Sequence, residues 1–324
     1  MIKSPLLLDA VQRAWQAPFR KQVVATALLG GLWAVVPDTR LLGWLMLAAS
    51  LVLVGIPHGA NDLRLLQLVR PRWSANTRFG AYALTVVIAT AAMLVYPLTG
   101  LGVFLVLSAF HFGQAEMVAG VVPDAVGGGN AGRTTLGFLY GLVLLLALLV
   151  PHAHVVGQYL PATPEFARAI AWLHRLPAAA GLYVTAAAAL LAVAVAADVV
   201  PPSEVAGRLV SLLVLRLLFA HTELLFAFAV YFGVWHSPDS ILLFSRQLFP
   251  GAGPRKVRQF YLAALPVTGL ALGLGGLLWW LNQLMLLRYP LPFVILAFLF
   301  GVTVPHILVT MPVYRTAIRE DVAA

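Results

Sequence analysis

An all-α bundle of membrane-spanning helices is the fold this chain of 324 residues predicts, and three observations predict it. Apolar residues make up 61% of the chain and charged residues only 10%, with a mean hydropathy of +0.91, so most of the folded surface has to meet lipid rather than water. Apolar runs of transmembrane length, roughly 17–25 residues, recur from one end to the other. None of them alternates as a barrel strand does, and a helix satisfies its own backbone in lipid. No polar stretch is long enough for a separate soluble module, so residues 1–324 read as a single integral membrane domain.

Taken in order, candidate spans fall near 22–36, 41–57, 80–97, 101–119, 134–151, 179–200, 207–235, 259–281 and 291–314. The segment before them, "MIKSPLLLDAVQRAWQAPFRKQ", scatters charges through its apolar residues and lacks the core and cleavage site of a signal peptide, so the mature chain is expected to begin near Met1. The Gly-rich "AVGGGNAG" at 125–132 reads as a flexible loop.

Basic residues set the topology. Lys3, Arg13, Arg20 and Lys21 precede the first span, Arg64, Arg70, Arg72 and Arg78 follow the second, and Arg246, Arg255, Lys256 and Arg258 form a third cluster before Arg315 and Arg319 in the tail. Nine crossings cannot put all four clusters on the cytoplasmic side, so the count is even. Eight is favoured and ten is the alternative, with the ambiguity lying in 150–208. The net charge of +9 is accounted for by these short loops, which excludes a basic nucleic-acid face. The chain has no cysteine, which excludes disulfides, thiolate ligands and thiol catalysis. Any metal must be held by His, Asp or Glu.

Under this topology His58, His111, His236 and His306, each from a different span, share one depth near the cytoplasmic side. An ionisable residue inside a membrane costs a few kcal/mol, roughly, so such a layer marks a functional site. Neutral imidazoles suit Zn, Cu and Fe. Asp62, four residues after His58, falls on the same helix face, where its carboxylate either bonds the second ring nitrogen of His58 or, with Asn61, caps a basic surface helix. Pro57, Gly59 and Ala60 predict a break there. His221 is separated from His236 by roughly 22 Å on a straight helix, so it belongs to a separate polar network with Arg216 and Glu223. His152, His154 and His174 are expected in solvent or at the interface. Phe110 and Phe112 beside His111, and Phe226, Phe228, Tyr231, Phe232 and Trp235 before His236, line either a substrate tunnel or a lipid-facing surface. On these residues alone a bis-histidine haem protein and a proton-relay transporter using His221 and Glu223 stay open.

Four stretches, "GIPHGAND" (55–62), "FHFGQAE" (110–116), "YFGVWHS" (231–237) and "TVPHILV" (303–309), resemble the motifs of the Brp/Blh family of bacterial and archaeal membrane β-carotene 15,15′-dioxygenases. They stand in the family's order over most of the chain. The resemblance implies a multi-pass protein of the cytoplasmic (inner) membrane in which Fe(2+), held by histidines matching His58, His111 and His236, cleaves β-carotene or a related carotenoid with O2 to give retinal. His306, in the fourth motif, is expected to complete the ligand set, and Asp62, Phe110, Phe112, Tyr231 and Trp235 to form the second shell or tunnel. One position departs from the pattern: Ser240 stands where the family's third motif has a second histidine. That departure keeps a second reading, a non-catalytic carotenoid- or retinal-binding membrane protein.

Overall fold

The computed structural model describes residues 17–118, 130–176, 180–197, 200, 202–249 and 254–323, and every regular element among them is helical. Lys3, Arg13 and residues 125–129 of the Gly-rich segment lie outside the described residues, as do the side chains of Arg20, Arg315 and Arg319; Asn130 already opens a helix. Helix α1 is Ala17–Val35. Next comes a rod built from α2 (Thr39–Ser50), a π-helical segment (Leu51–Gly55), α3 (Ile56–Gly59) and, after a turn, α4 (Asp62–Val69). There follow α5 (Ala75–Val95), α6 (Pro97–Val118), α7 (Asn130–Leu149), α8 (Ala153–Tyr159), α9 (Pro164–Leu173) and α10 (Ala180–Ala196). The last third holds α11 (Pro202–His221), α12 (Leu224–Val230), a second π-helical segment (Tyr231–His236), α13 (Ser237–Leu248), α14 (Pro254–Gln283) and α15 (Leu291–Ala323).

Five stretches are long and apolar enough to cross a membrane: Thr39–Val69, Ala75–Val95, Pro97–Glu116, Arg255–Gln283 and Leu291–Tyr314. The pair α7 and α8 reaches that standard only together, bent by 87° at its break, and Lys21–Val35 and Leu182–Ala196 are shorter apolar helices. Leu28, Val87, Ile88, Leu265, Leu270 and Leu308 stand largely exposed on the outside of the bundle. Such an apolar surface is consistent with a multi-pass membrane protein.

The stretch 207–235 is not one span. α11 ends at His221, and Glu223 adopts an extended conformation (ψ 155) before α12 resumes. The break is anchored on both sides. Glu223 accepts a hydrogen bond from Thr39 Oγ1 at 3.1 Å, and the ring nitrogens of His152 lie 2.6 Å from the Leu148 carbonyl and 2.7 Å from the Thr222 carbonyl. His152 is therefore buried where the sequence placed it in solvent, because it serves carbonyls that two helix ends leave open. His154 and His174 are exposed, as expected.

The closest packing in the bundle joins α6 to α7. Gly137 and Gly141 on α7 face Ala109 and Gly113 on α6, four apart on each helix, and a Cβ on Gly113 or on Gly141 would run into the carbonyl of Gly137 or of Ala109. Small residues at this spacing let backbones approach, the membrane packing mode in which dispersion substitutes for a hydrophobic drive. His111 sits inside the stretch of α6 that this contact pins.

Candidate metal centre

Three of the four histidines stand next to a proline or a π-helical segment. His58 follows Pro57, whose ring removes a backbone donor and crowds the preceding turn. The break that the sequence predicts at Pro57, Gly59 and Ala60 is present, since α3 ends at Gly59 and Ala60–Asn61 turn before α4, and the π-helical segment Leu51–Gly55 precedes it by one turn. The same arrangement recurs at His236, which ends the segment Tyr231–His236 just before Pro238. Pro238 and Asp239 do not prevent a helix: the backbone stays helical from the π segment into α13, and the wider π register before Pro238, where the Ser237 N–H donates to the Phe232 carbonyl, accommodates the proline. The two π segments pack on each other: a Cβ on Gly55 would collide with the Phe232 ring, and one on Gly233 would meet Ser50 Oγ at 2.6 Å. His306 follows Pro305 inside α15.

Three of the four rings bring ligand atoms together, and His306, outside that set of three, packs against it. Ligand atoms of His58, His111 and His236 all lie within 4.8 Å of one another, and all three side chains are buried. The His306 ring centroid stands 4.6 Å from that of His58 and 5.0 Å from that of His111, and His111 stands 4.9 Å from His236.

Their nitrogens divide into two kinds. His58 Nδ1 contacts the Gly55 carbonyl, and His306 Nδ1 lies 2.9 and 3.0 Å from the two oxygens of Asp62. Each of these contacts asks the ring to carry its proton on Nδ1, which leaves Nε2 as a lone pair. Among the described residues His58 Nε2, His306 Nε2 and both ring nitrogens of His111 and His236 have no hydrogen-bond partner. A buried polar atom left unpaired costs about 1–3 kcal/mol, so six in one cluster are a large debit unless something binds them. The donor set is all nitrogen and neutral. It fits a divalent transition metal, and Asp62, 1% exposed, supplies the acidic group in direct contact with the cluster.

Asp62 goes to a different histidine from the one the sequence indicated. The turn at Ala60–Asn61 swings it off the His58 face, so it bonds His306 and accepts a hydrogen bond from Tyr82 Oη at 2.9 Å. It does not cap α4. Asn61, next to it, donates to the Phe260 carbonyl at 3.0 Å.

A cavity of ≈ 340 Å³ lies on one side of the cluster. His58 and His306 line it together with Tyr82, Phe232, Thr303 and apolar side chains of the α2–α3 rod, α5, α14 and α15. Phe79, Val87 and Leu270, which also line it, are exposed on the outside of the bundle. His111 and His236 do not reach it, nor do Phe110, Phe112, Tyr231 or Trp235. Phe112 packs on His236 (4.8 Å between centroids) and on Tyr231 (5.4 Å), while Trp235 donates to Thr26 Oγ1 at 2.9 Å, so these aromatics back the cluster from the opposite side. Phe110 is only half-buried. Phe232 alone of the aromatics before His236 does both, stacking on His236 at 5.5 Å and lining the cavity.

Ser240 is buried one turn after His236, with Oγ 3.3 Å from the His236 carbonyl and 3.2 Å from Tyr314 Oη. Asp239 turns away and accepts from Gln22 Nε2 at 3.1 Å. Among the described residues the polar network expected around His221 does not form: His221 is exposed, Glu223 accepts from Thr39, and Arg216 Nε and Nη1 have no hydrogen-bond partner. The haem alternative meets a steric objection, since rings 4.6–5.0 Å apart leave no gap for a macrocycle between two axial imidazoles.

Tyr82 was not legible in the sequence. It lies 20 residues beyond Asp62 in an unremarkable apolar helix, and only the packing of α5 brings the two together.

The family model described as Beta-carotene 15,15′-dioxygenase matches residues 49–312, a stretch that contains all four histidines. Among curated proteins and solved structures, nothing matches the chain.

Proposed function

Because the chain belongs to the β-carotene 15,15′-dioxygenase family, we propose that it cleaves the central double bond of β-carotene or a related carotenoid with O2, giving two retinal molecules, at an Fe(2+) held by His58, His111, His236 and His306. The observation that carries this reading is the meeting of four buried imidazoles with unpartnered nitrogens at the wall of an apolar cavity. The reaction balances without a further reductant: one C=C bond is lost, and each oxygen atom of O2 ends in one aldehyde.

A ferrous ion supplies the electron transfer that spin-unpaired O2 needs to react with a closed-shell polyene. The chain's own residues do the rest. His58 and His306 present the centre to the cavity, while Phe112 and Phe232 hold His236 from two sides. The apolar lining from α5 and α14 accepts a polyene and excludes water. Phe79, Val87 and Leu270 form a lateral mouth, so the carotenoid passes from the bilayer into the cavity without crossing water. Only the middle of so long a substrate has to sit beside His58 and His306.

We place the protein in the cytoplasmic membrane with ten crossings rather than eight. Counting α10, α11 and the α12–α13 rod as separate crossings puts the loops at 64–78 and 246–258 and the tail with Arg315 on the side of the N-terminus. All four basic clusters are then cytoplasmic.

Ser240 favours one second reading, a carotenoid-binding protein without catalysis. The separating experiment is expression in a host that accumulates β-carotene. Bleaching of the cells with formation of retinal, lost on His58→Ala, His111→Ala or His236→Ala, supports cleavage. Unchanged colour with the wild-type protein present in the membrane contradicts it.

A further inference from the structure

We propose that Tyr82 is a positioning residue for the metal centre, acting through Asp62 on His306; this rests on the metal-binding reading above. Two parts of the side chain face different surroundings. The ring forms part of the cavity wall, while the hydroxyl donates to Asp62 Oδ2 at 2.9 Å.

The geometry at Asp62 gives that hydroxyl a specific task. His306 Nδ1 lies 2.9 Å from Oδ1 and 3.0 Å from Oδ2, so this contact does not distinguish the two oxygens and leaves the carboxylate plane free to rock about it. Tyr82 touches only Oδ2. It removes the symmetry, fixes the plane, and through it the orientation of the imidazole. Among the described residues these two donors are the hydrogen-bond partners of the Asp62 carboxylate. Among the described residues no Arg or Lys forms an ion pair with it, so the carboxylate depends on Tyr82 for part of the solvation that burial removes.

Tyr82 is also well placed to hold a fixed distance from His306. Its helix, α5, packs directly on α15: a Cβ on Gly301 of α15 would run into Thr90 Oγ1 of α5 and would meet the Val86 carbonyl at 3.2 Å. The helix bearing the phenol and the helix bearing the imidazole are thus in backbone-level contact, and Asp62 from the turn before α4 is clasped between them.

The test titrates purified protein with Co(II), whose visible spectrum reports ligand arrangement, and needs no carotenoid. Tyr82→Phe keeps the ring and removes only the hydroxyl; it is expected to weaken cobalt binding about 10-fold and to alter the spectrum. In the Asp62→Asn background the same change is expected to cost nothing further, because the path it acts through is already broken. Phe79→Leu, which trims the same cavity wall without touching Asp62, is expected to bind cobalt as the wild type does. The inference is overturned if Tyr82→Phe binds with wild-type affinity, if its loss multiplies with that of Asp62→Asn, or if Phe79→Leu weakens binding equally. A wild-type protein that binds no cobalt would overturn the metal-centre reading as well, so the two failures are distinguishable.

Discussion

Asp62 and His306, 244 residues apart in sequence, meet at 2.9 Å in the interior of the bundle. The contact ties the turn before α4 to the middle of α15, and it fixes which nitrogen of His306 is left for a ligand. His58 is oriented in the same sense by a backbone carbonyl one turn before it. Two of the four imidazoles are therefore preset to offer Nε2, and both face the cavity.

Replacing Asp62 by Ala leaves the His306 and Tyr82 donors buried without an acceptor. Unfolding in detergent should show a loss of about 1–3 kcal/mol in the metal-free protein, and iron affinity should fall about 10- to 100-fold. Asp62→Ala protein with wild-type stability and affinity would show that the contact contributes nothing.

The α6–α7 contact predicts an intolerance that chemistry at the site does not. Gly141→Ala adds one methyl where it meets the Ala109 carbonyl, so the helices must separate. Overpacking of this kind costs about 1–3 kcal/mol, and the displaced segment carries His111. A lowered melting temperature together with lost iron is expected, whereas Gly102→Ala, which meets nothing nearby, should change neither.

Ser240 bonds the His236 carbonyl and Tyr314. Ser240→Ala should retain full iron content and lose about 1 kcal/mol of stability. Iron loss in this variant would make the serine hydroxyl a ligand and require a different donor set.

Access from the bilayer predicts that bulk at the cavity mouth slows turnover without disturbing the metal. Leu270→Trp and Val87→Trp should raise KM for carotenoid while iron content stays at the wild-type level. Unchanged kinetics in both would place the route elsewhere.

The all-helical fold with its apolar spans and the approach of the histidines to one another were readable because both follow from one-dimensional signals. Apolar runs of bilayer length mark helices, and an imidazole inside such a run stands out by its cost. What escaped the sequence depends on contacts between distant segments. The break at Thr222–Glu223 lies in a continuous apolar run and is stabilised by Thr39 and His152 from other helices. Pro57, Gly59 and Ala60 did mark the turn at Ala60–Asn61, but not the π segment that precedes it. Asp62 stood out in the sequence, but its partner His306 did not, because a turn of two residues rotates a side chain to another face. The spacing Gly137-x-x-x-Gly141 was a visible signal of close helix packing. Phe112, Tyr231 and Trp235 carry the right composition for a tunnel, but they pack behind the histidines, and composition does not say which side of a ring a neighbour occupies.

The central claim is that imidazoles from four separate helices hold one metal ion. Elemental analysis of protein purified after iron supplementation tests it most directly, with His58→Ala, His111→Ala and His236→Ala compared with the wild type at matched folding. The account predicts about one iron per wild-type chain and a clear loss in each variant. Stoichiometric iron retained by all three variants, or none in folded wild-type protein after reconstitution, would contradict it.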